Sequence, residues 1–269
     1  MSVPSKGEER KSVLSKAASG SPTLRKLEID KKKDVLGVCL IVKRTSSGSY
    51  EAVCSGSVVK DLLDYSDCIF IITSDNIVSK KDLAELQGGS KTLNTRDYKL
   101  YFKTWNSDSK LRSYELHEVT RMQSTNCKVK FTSGLALIPL DAKKLGKRSV
   151  LSGRSGLLTY RPFHAKKDGC SSGSLICQVV DGNVGHFDVM SYKLGHVCGE
   201  YVLTSEREDT FKTLTEITGR GSNNRHPCGA VILRTRENQK SEAVGALDFK
   251  DDKISPVFFN VFGECIYMF

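Results

Sequence analysis

Cys54-Ser55-Gly56-Ser57-Val58-Val59 and, a little further on, Ile71-Ile72-Thr73-Ser74-Asp75-Asn76-Ile77-Val78 are short apolar runs rich in β-branched residues, interrupted by Gly, Ser, Asp and Asn. Branching at Cβ stiffens the side chain and suits a pleated surface, so these runs read as two strands, Tyr50–Val59 and Cys68–Thr73. Working outward, the same pattern recurs at Val35–Lys43, Tyr98–Thr104, Tyr114–Met122 and Leu135–Leu140. It continues at Gly156–Arg161, Gly173–Val180, Phe187–Tyr192, His196–Thr204, Ala230–Arg234, Ala243–Phe249 and Val257–Val261. Ser46-Ser47-Gly48 and Asp181-Gly182-Asn183 carry hairpin-turn signals between such runs. Only Ser79–Gln87 and Glu206–Ile217, with Phe211, Leu214 and Ile217 at helical spacing, read as helices. About a dozen short strands at fairly regular spacing predict an all-β barrel or sandwich.

The chain has 269 residues, 39% of them hydrophobic and 27% charged, which excludes collagenous, mucin-like and wholly disordered classes. Its net charge is +10, yet the first 33 residues hold nine Lys/Arg against four acids and so contribute half of it. That stretch is rich in Ser, Gly and Lys and lacks aromatic residues, and it reads as a disordered basic tail, 1–33. The polar, basic stretch 141–154 divides the rest into a first β-barrel, 34–140, and a second, 155–269. Nine cysteines (39, 54, 68, 127, 170, 177, 198, 228 and 265) form an odd number, several inside apolar runs, and no signal-peptide core precedes them. Reduced, mostly buried thiols in the cytoplasm or nucleus are the expectation. No run reaches the ~18 apolar residues of a membrane span, so no membrane association is expected.

Two β halves joined by a polar connector suggest paired barrels with a cleft between them, and particular residues carry that resemblance. Cys54–Val59 and Ile71–Val78 resemble the Gly-Ser-Gly strand and the "I-L-T-x-x-H-V-V" segment of trypsin-like peptidases. Gly134-Leu135-Ala136-Leu137-Ile138-Pro139-Leu140 is similar to that superfamily's "D-x-A-L-L-x-L" segment. His226-Pro227-Cys228-Gly229-Ala230-Val231-Ile232, followed by Ala243-Val244-Gly245-Ala246-Leu247, resembles the nucleophile loop and the strand after it. The match spans most of residues 35–250 and implies two packed six-stranded antiparallel barrels. It places Asn76 where the superfamily has its His, Gly134 where it has the orienting Asp, and Cys228 at the nucleophile. An amide offers no titratable base near neutral pH, and glycine cannot orient one, so both positions are degenerate. The only histidine of the first half is His117.

Cys228 would lie in a turn suited to an oxyanion hole, and a thiol needs less activation than a hydroxyl. Gly169-Cys170-Ser171-Ser172-Gly173-Ser174 resembles a nucleophile loop in letters, which makes Ser172 the alternative nucleophile. It follows position 134 by only 38 residues, however, and Gly/Ser pairs are ordinary hairpin content. The His196-Val197-Cys198 and His226-Pro227-Cys228 pairs lack zinc-site Cys-x₂₋₄-Cys spacing, so no metal and no other cofactor are expected. The Lys/Arg residues of 141–154, with Arg161, Lys166 and Lys167, come without stacking aromatics, so a nucleic-acid partner is weakly supported. The reading is a degenerate trypsin-like, intracellular pseudopeptidase with a protein or peptide partner. Its alternatives are an active endopeptidase using Cys228 or Ser172, and a β-rich scaffold unrelated to peptidases.

Overall fold

Strand β1 (Val38–Arg44) has Cys39 and Ile41 on one face and Val38, Leu40 and Val42 on the other, and all five are buried. A strand covered on both faces has no reason to alternate polar with apolar, which is why its sequence is a continuous apolar run. What covers the faces follows from the clusters. In this computed structural model, Cys39 and Ile41 pack with Cys54, Val58, Ile69, Ile71, Ala136, Ile138 and Leu140 from the first half of the chain, joined by Cys228 from the second. Leu40 and Val42 pack instead in a cluster that mixes first-half residues, such as Val59, Ile72 and Leu137, with second-half residues, such as Leu175, Phe187, Val231 and Ala246. A third cluster, Ile176, Tyr192, Leu203, Ala230, Ile232, Val244 and Leu247, belongs to the second half alone. The molecule thus has a core in each half and a third core between them.

The structure describes residues 37–60, 68–89, 93–103, 111–115, 130–132, 134–141, 158–160, 171–205, 211–212, 227–235, 241–250 and 253–259. In the first half, β1 pairs with β2 (Tyr50–Lys60) and β4 (Tyr98–Lys103), and β2 continues to β3 (Cys68–Ser74). β3 pairs with β7 (Leu135–Asp141), which pairs with β6 (Lys130–Thr132), while β4 pairs with β5 (Leu111–Glu115). Every one of these ladders is antiparallel. The single α-helix of the described residues, α1 (Lys80–Gln87), begins at Ser79, whose hydroxyl accepts the Asp82 amide at 3.1 Å and so satisfies an otherwise orphan donor.

The second half repeats the pattern. β9 (Ser171–Val180) pairs with β10 (Asn183–Val197), and β10 with β11 (Glu200–Ser205). On its other side β9 pairs with β13 (Val231–Thr235), then β14 (Glu242–Lys250) and β15 (Lys253–Phe258). The ring nearly closes where β15 meets β11, with Lys253 Nζ 2.6 Å from Glu200 Oε1 and the rings of Tyr201 and Phe258 6.5 Å apart. Between the halves, the short strand β8 (Leu158–Tyr160) pairs in parallel with both β2 and β14. The architecture is all-β, two antiparallel barrel-like halves with one short α-helix among the described residues, as expected.

Several expectations need correction: β6 was not expected, and β5 and β15 begin before the expected Tyr114–Met122 and Val257–Val261. The runs Phe187–Tyr192 and His196–Thr204 belong to one 15-residue strand and the start of the next, and the chain reverses at Cys198-Gly199 rather than near Gly195. Both residues of that turn have positive φ (51° and 86°), as do Asp181 and Gly182 (53° and 67°), the backbone that matches a tight hairpin to strand twist. Phe211–Lys212, expected within a helix, forms strand β12 beside β11. Pairing with an open strand edge overrides the helical spacing there. The rest of 206–217, the tail 1–33 and the connector 142–154 lie outside the described residues.

Candidate functional site

β3 ends at Ser74, and the chain tightens there into a 3₁₀ turn, Asp75–Ile77. The Ser74 hydroxyl is the cap, accepting the Asn76 backbone amide at 3.2 Å. It also accepts the Asn76 side-chain amide at 3.0 Å, so the turn fixes that side chain as well as the backbone. The second hydrogen bond of Asn76 Nδ2 goes across to the other half, to Asp248 Oδ1 on β14 at 2.9 Å. Ser74 Oγ lies 3.4 Å from the same carboxylate oxygen, and the Phe249 amide donates to it at 2.9 Å. Asp248 is 2% exposed. A carboxylate removed from water to that degree needs its lone pairs occupied, and these donors meet that need at Oδ1.

Gly134 precedes β7 and is tied to the same turn, its carbonyl accepting the Asp75 amide at 3.0 Å. Its φ is +88°, where an L side chain is strained, and a Cβ built on it would lie 3.3 Å from Asp248 Oδ2. The backbone there favours glycine, and a side chain would also be in tight contact with the carboxylate that faces it. Cys228 follows Pro227 in a turn that docks on the first half through the Ser55 amide, which donates to the Cys228 carbonyl at 2.9 Å, while the Gly229 amide ties the turn to β14 by donating to Leu247 O at 2.7 Å. At Gly229, with φ +81°, any Cβ would overlap the Ser55 carbonyl, the Thr73 hydroxyl and the Ser74 amide. The three positions singled out in the sequence therefore gather around the end of β3, with Asp248 among them. Cys228 itself is only 3% exposed and packs with the apolar residues of the first half.

The chemistry of this cluster is that of neighbouring polar groups holding one another. Asn76 supplies donors and an acceptor but no proton-accepting nitrogen near neutral pH. Burial raises the thiol pKa of Cys54 well above its ordinary value, with the nearby Cys228 adding to the rise. Cys39 is likewise raised by burial, and burial pushes Cys177 to about 12. These thiols stay protonated at neutral pH, the inert state of a structural cysteine.

Ser172 is placed elsewhere. It lies within β9, in the ladder opposite Arg234 of β13, rather than in a loop. Arg234 is 1% exposed and pairs with Glu242 at 3.1 Å. His196 stacks edge-on against Tyr201 at 4.9 Å beside the hairpin tip that carries the exposed Cys198. Among the described residues no group of three or more His, Cys, Asp or Glu is arranged to hold a metal ion. His117, His226, Cys170 and the basic residues of 142–154, with Arg161, Lys166 and Lys167, lie outside the described residues. Sequence reasoning passed over Asp248. Its signal was an acid at the end of Ala243-Val244-Gly245-Ala246-Leu247, an apolar run in which a solvated charge would be out of place.

No family model and no curated protein matches the chain. Among solved structures it is similar to the tobacco vein mottling virus protease, at 12% identity and a TM-score of 0.44 over 92% of this chain and 88% of that one. It is also similar to a thermostable serine protease, AL20, from an extremophilic microorganism, at 7% identity and a TM-score of 0.41, covering 84% and 92% of the two chains. A third similar structure is Deg5, at 13% identity and a TM-score of 0.39, covering 84% and 85%. Likeness at this level leaves the description of the fold resting on the strand pairing and the three apolar clusters.

Proposed function

We propose that the chain is a non-catalytic protein of the trypsin-like, two-barrel kind, a pseudopeptidase whose cleft or surface binds a protein or peptide in the cytoplasm or nucleus. The observation that carries this reading is the state of the side chain at position 76. It is an amide, held by Ser74 and Asp248, where hydrolysis would need an imidazole free to take a proton. The burial of Cys228 supports the same reading, because a nucleophile must reach its substrate.

Incubating the purified chain with a diverse peptide library and mapping products by mass spectrometry tests the proposal. No cleavage above that of a Cys228→Ala, Ser172→Ala double variant is expected. Cleavage by the native chain that disappears when either residue is replaced would establish the active endopeptidase instead.

A further inference from the structure

Position 134 is empty of side chain, yet the space in front of it is not empty. Asp248 Oδ2 lies 3.3 Å from the point where a Cβ on Gly134 would sit. The other oxygen of the same carboxylate accepts the Asn76 side chain at 2.9 Å. One carboxylate thus occupies the ground in front of one degenerate position and grips the side chain of the other. We propose that Asp248 supplies, from the second half of the chain, the acid that position 134 lacks, and acts as the positioning residue for the side chain at 76.

Three features support this beyond the two distances. The carboxylate is 2% exposed, so its direction is set by protein donors rather than by water. Those donors come from both halves: Asn76 and Ser74 on the turn after β3, and the Phe249 amide on β14 itself. Finally, the backbone at 134, with φ +88° and its carbonyl held by the Asp75 amide, takes the conformation that leaves the carboxylate room. A packing role alone would be met as well by an apolar side chain, without the cost of burying a carboxylate. The proposal rests on the trypsin-like placement of positions 76 and 134 and on the cluster at the end of β3, and does not depend on whether the native chain cleaves peptides.

The test is to give the carboxylate a group whose protonation it governs. In an Asn76→His variant the introduced imidazole is titrated by NMR and compared with that in Asn76→His, Asp248→Asn. Asp75 adjoins the position and the thiols of Cys54 and Cys228 lie on the packed elements, but all three are present in both variants, so the difference isolates Asp248. An opposite charge within hydrogen-bonding reach raises an imidazole pKa by about one unit or more, and a fall of that size on removing the acid is expected. Equal titration in the two variants, within about 0.3 units, overturns the proposal, since a carboxylate in place and pointed at position 76 must act on a cation there. Should Asn76→His not fold, the native chain gives a second reading. Exchange of the Asn76 side-chain amide protons should be slower than that of the exposed Asn183, and should accelerate at least about tenfold in Asp248→Ala, as loss of a buried hydrogen bond requires. Unchanged exchange overturns the proposal equally. Peptide cleavage by the native chain would sink the non-catalytic reading and leave this one standing.

Discussion

At Gly229 a single hydrogen atom is what lets the two halves of the chain meet. Gly229→Ala would place a methyl against backbone atoms of Ser55 and Ser74, which cannot swing aside, in a residue already at φ +81°. Strain and overpacking together predict a loss of about 4 kcal/mol, read as a lower urea midpoint at unchanged slope. Ser57 makes the opposite case. Its hydroxyl is buried on β2 with no hydrogen-bond partner among the described residues, so Ser57→Ala should be neutral or stabilising by up to about 1 kcal/mol by the same measurement. At this scale the sequence showed positions better than partners. Asn76, Gly134 and Cys228 could be picked out because the runs that flank them resemble trypsin-like segments. Asp248 could not be connected to them, because it is 172 residues from Asn76 in the chain and nothing local announces a contact across two folding units.

The strand β1 predicts its own mutational profile. Because Leu40 faces the shared cluster and Ile41 the first-half cluster, both fully buried, Leu40→Ala and Ile41→Ala should each cost about 3 kcal/mol. A half-exposed strand would show one large and one small loss, so comparable losses in chemical denaturation check the three-core arrangement directly. At the hairpin between β10 and β11, Cys198 sits at φ 51°, a conformation asparagine tolerates better. Cys198→Asn is expected to stabilise by about 0.5–1 kcal/mol, again from the denaturation midpoint. Strands such as β1, β2, β3 and β7 were legible because burial leaves long apolar signatures, whereas the short β6 was not. Boundaries near Gly195 and the segment around Phe211 were not legible. A glycine inside a strand resembles a break, and helical spacing in a short polar stretch says nothing about a strand edge waiting to be paired.

Across the whole molecule, burying several thiols ties stability to alkaline pH. Cys177, pushed to about 12, and Cys39 and Cys54, also raised by burial, hold their protons more tightly folded than unfolded, where the ordinary value is 9.0. Tyr98, raised by burial and donating to Ile77 O at 3.0 Å, acts in the same direction. The folded state binds more protons than the unfolded state above the unfolded pKa, so stability falls as pH rises from about 9 toward 12 and is unaffected by these groups below about 8. Thermal unfolding followed across that range should show a midpoint steady to about pH 8 and declining beyond 9. The proposal that the chain is not a working hydrolase turns on access to Cys228, which is 3% exposed. It is tested most directly by native-state alkylation with a small thiol reagent, read residue by residue by mass spectrometry. The exposed Cys198 should label rapidly, while Cys228, like Cys39, Cys54 and Cys177, should label only when the chain unfolds. Rapid labelling of Cys228 in the folded protein, at or above the rate of Cys198, would contradict the account.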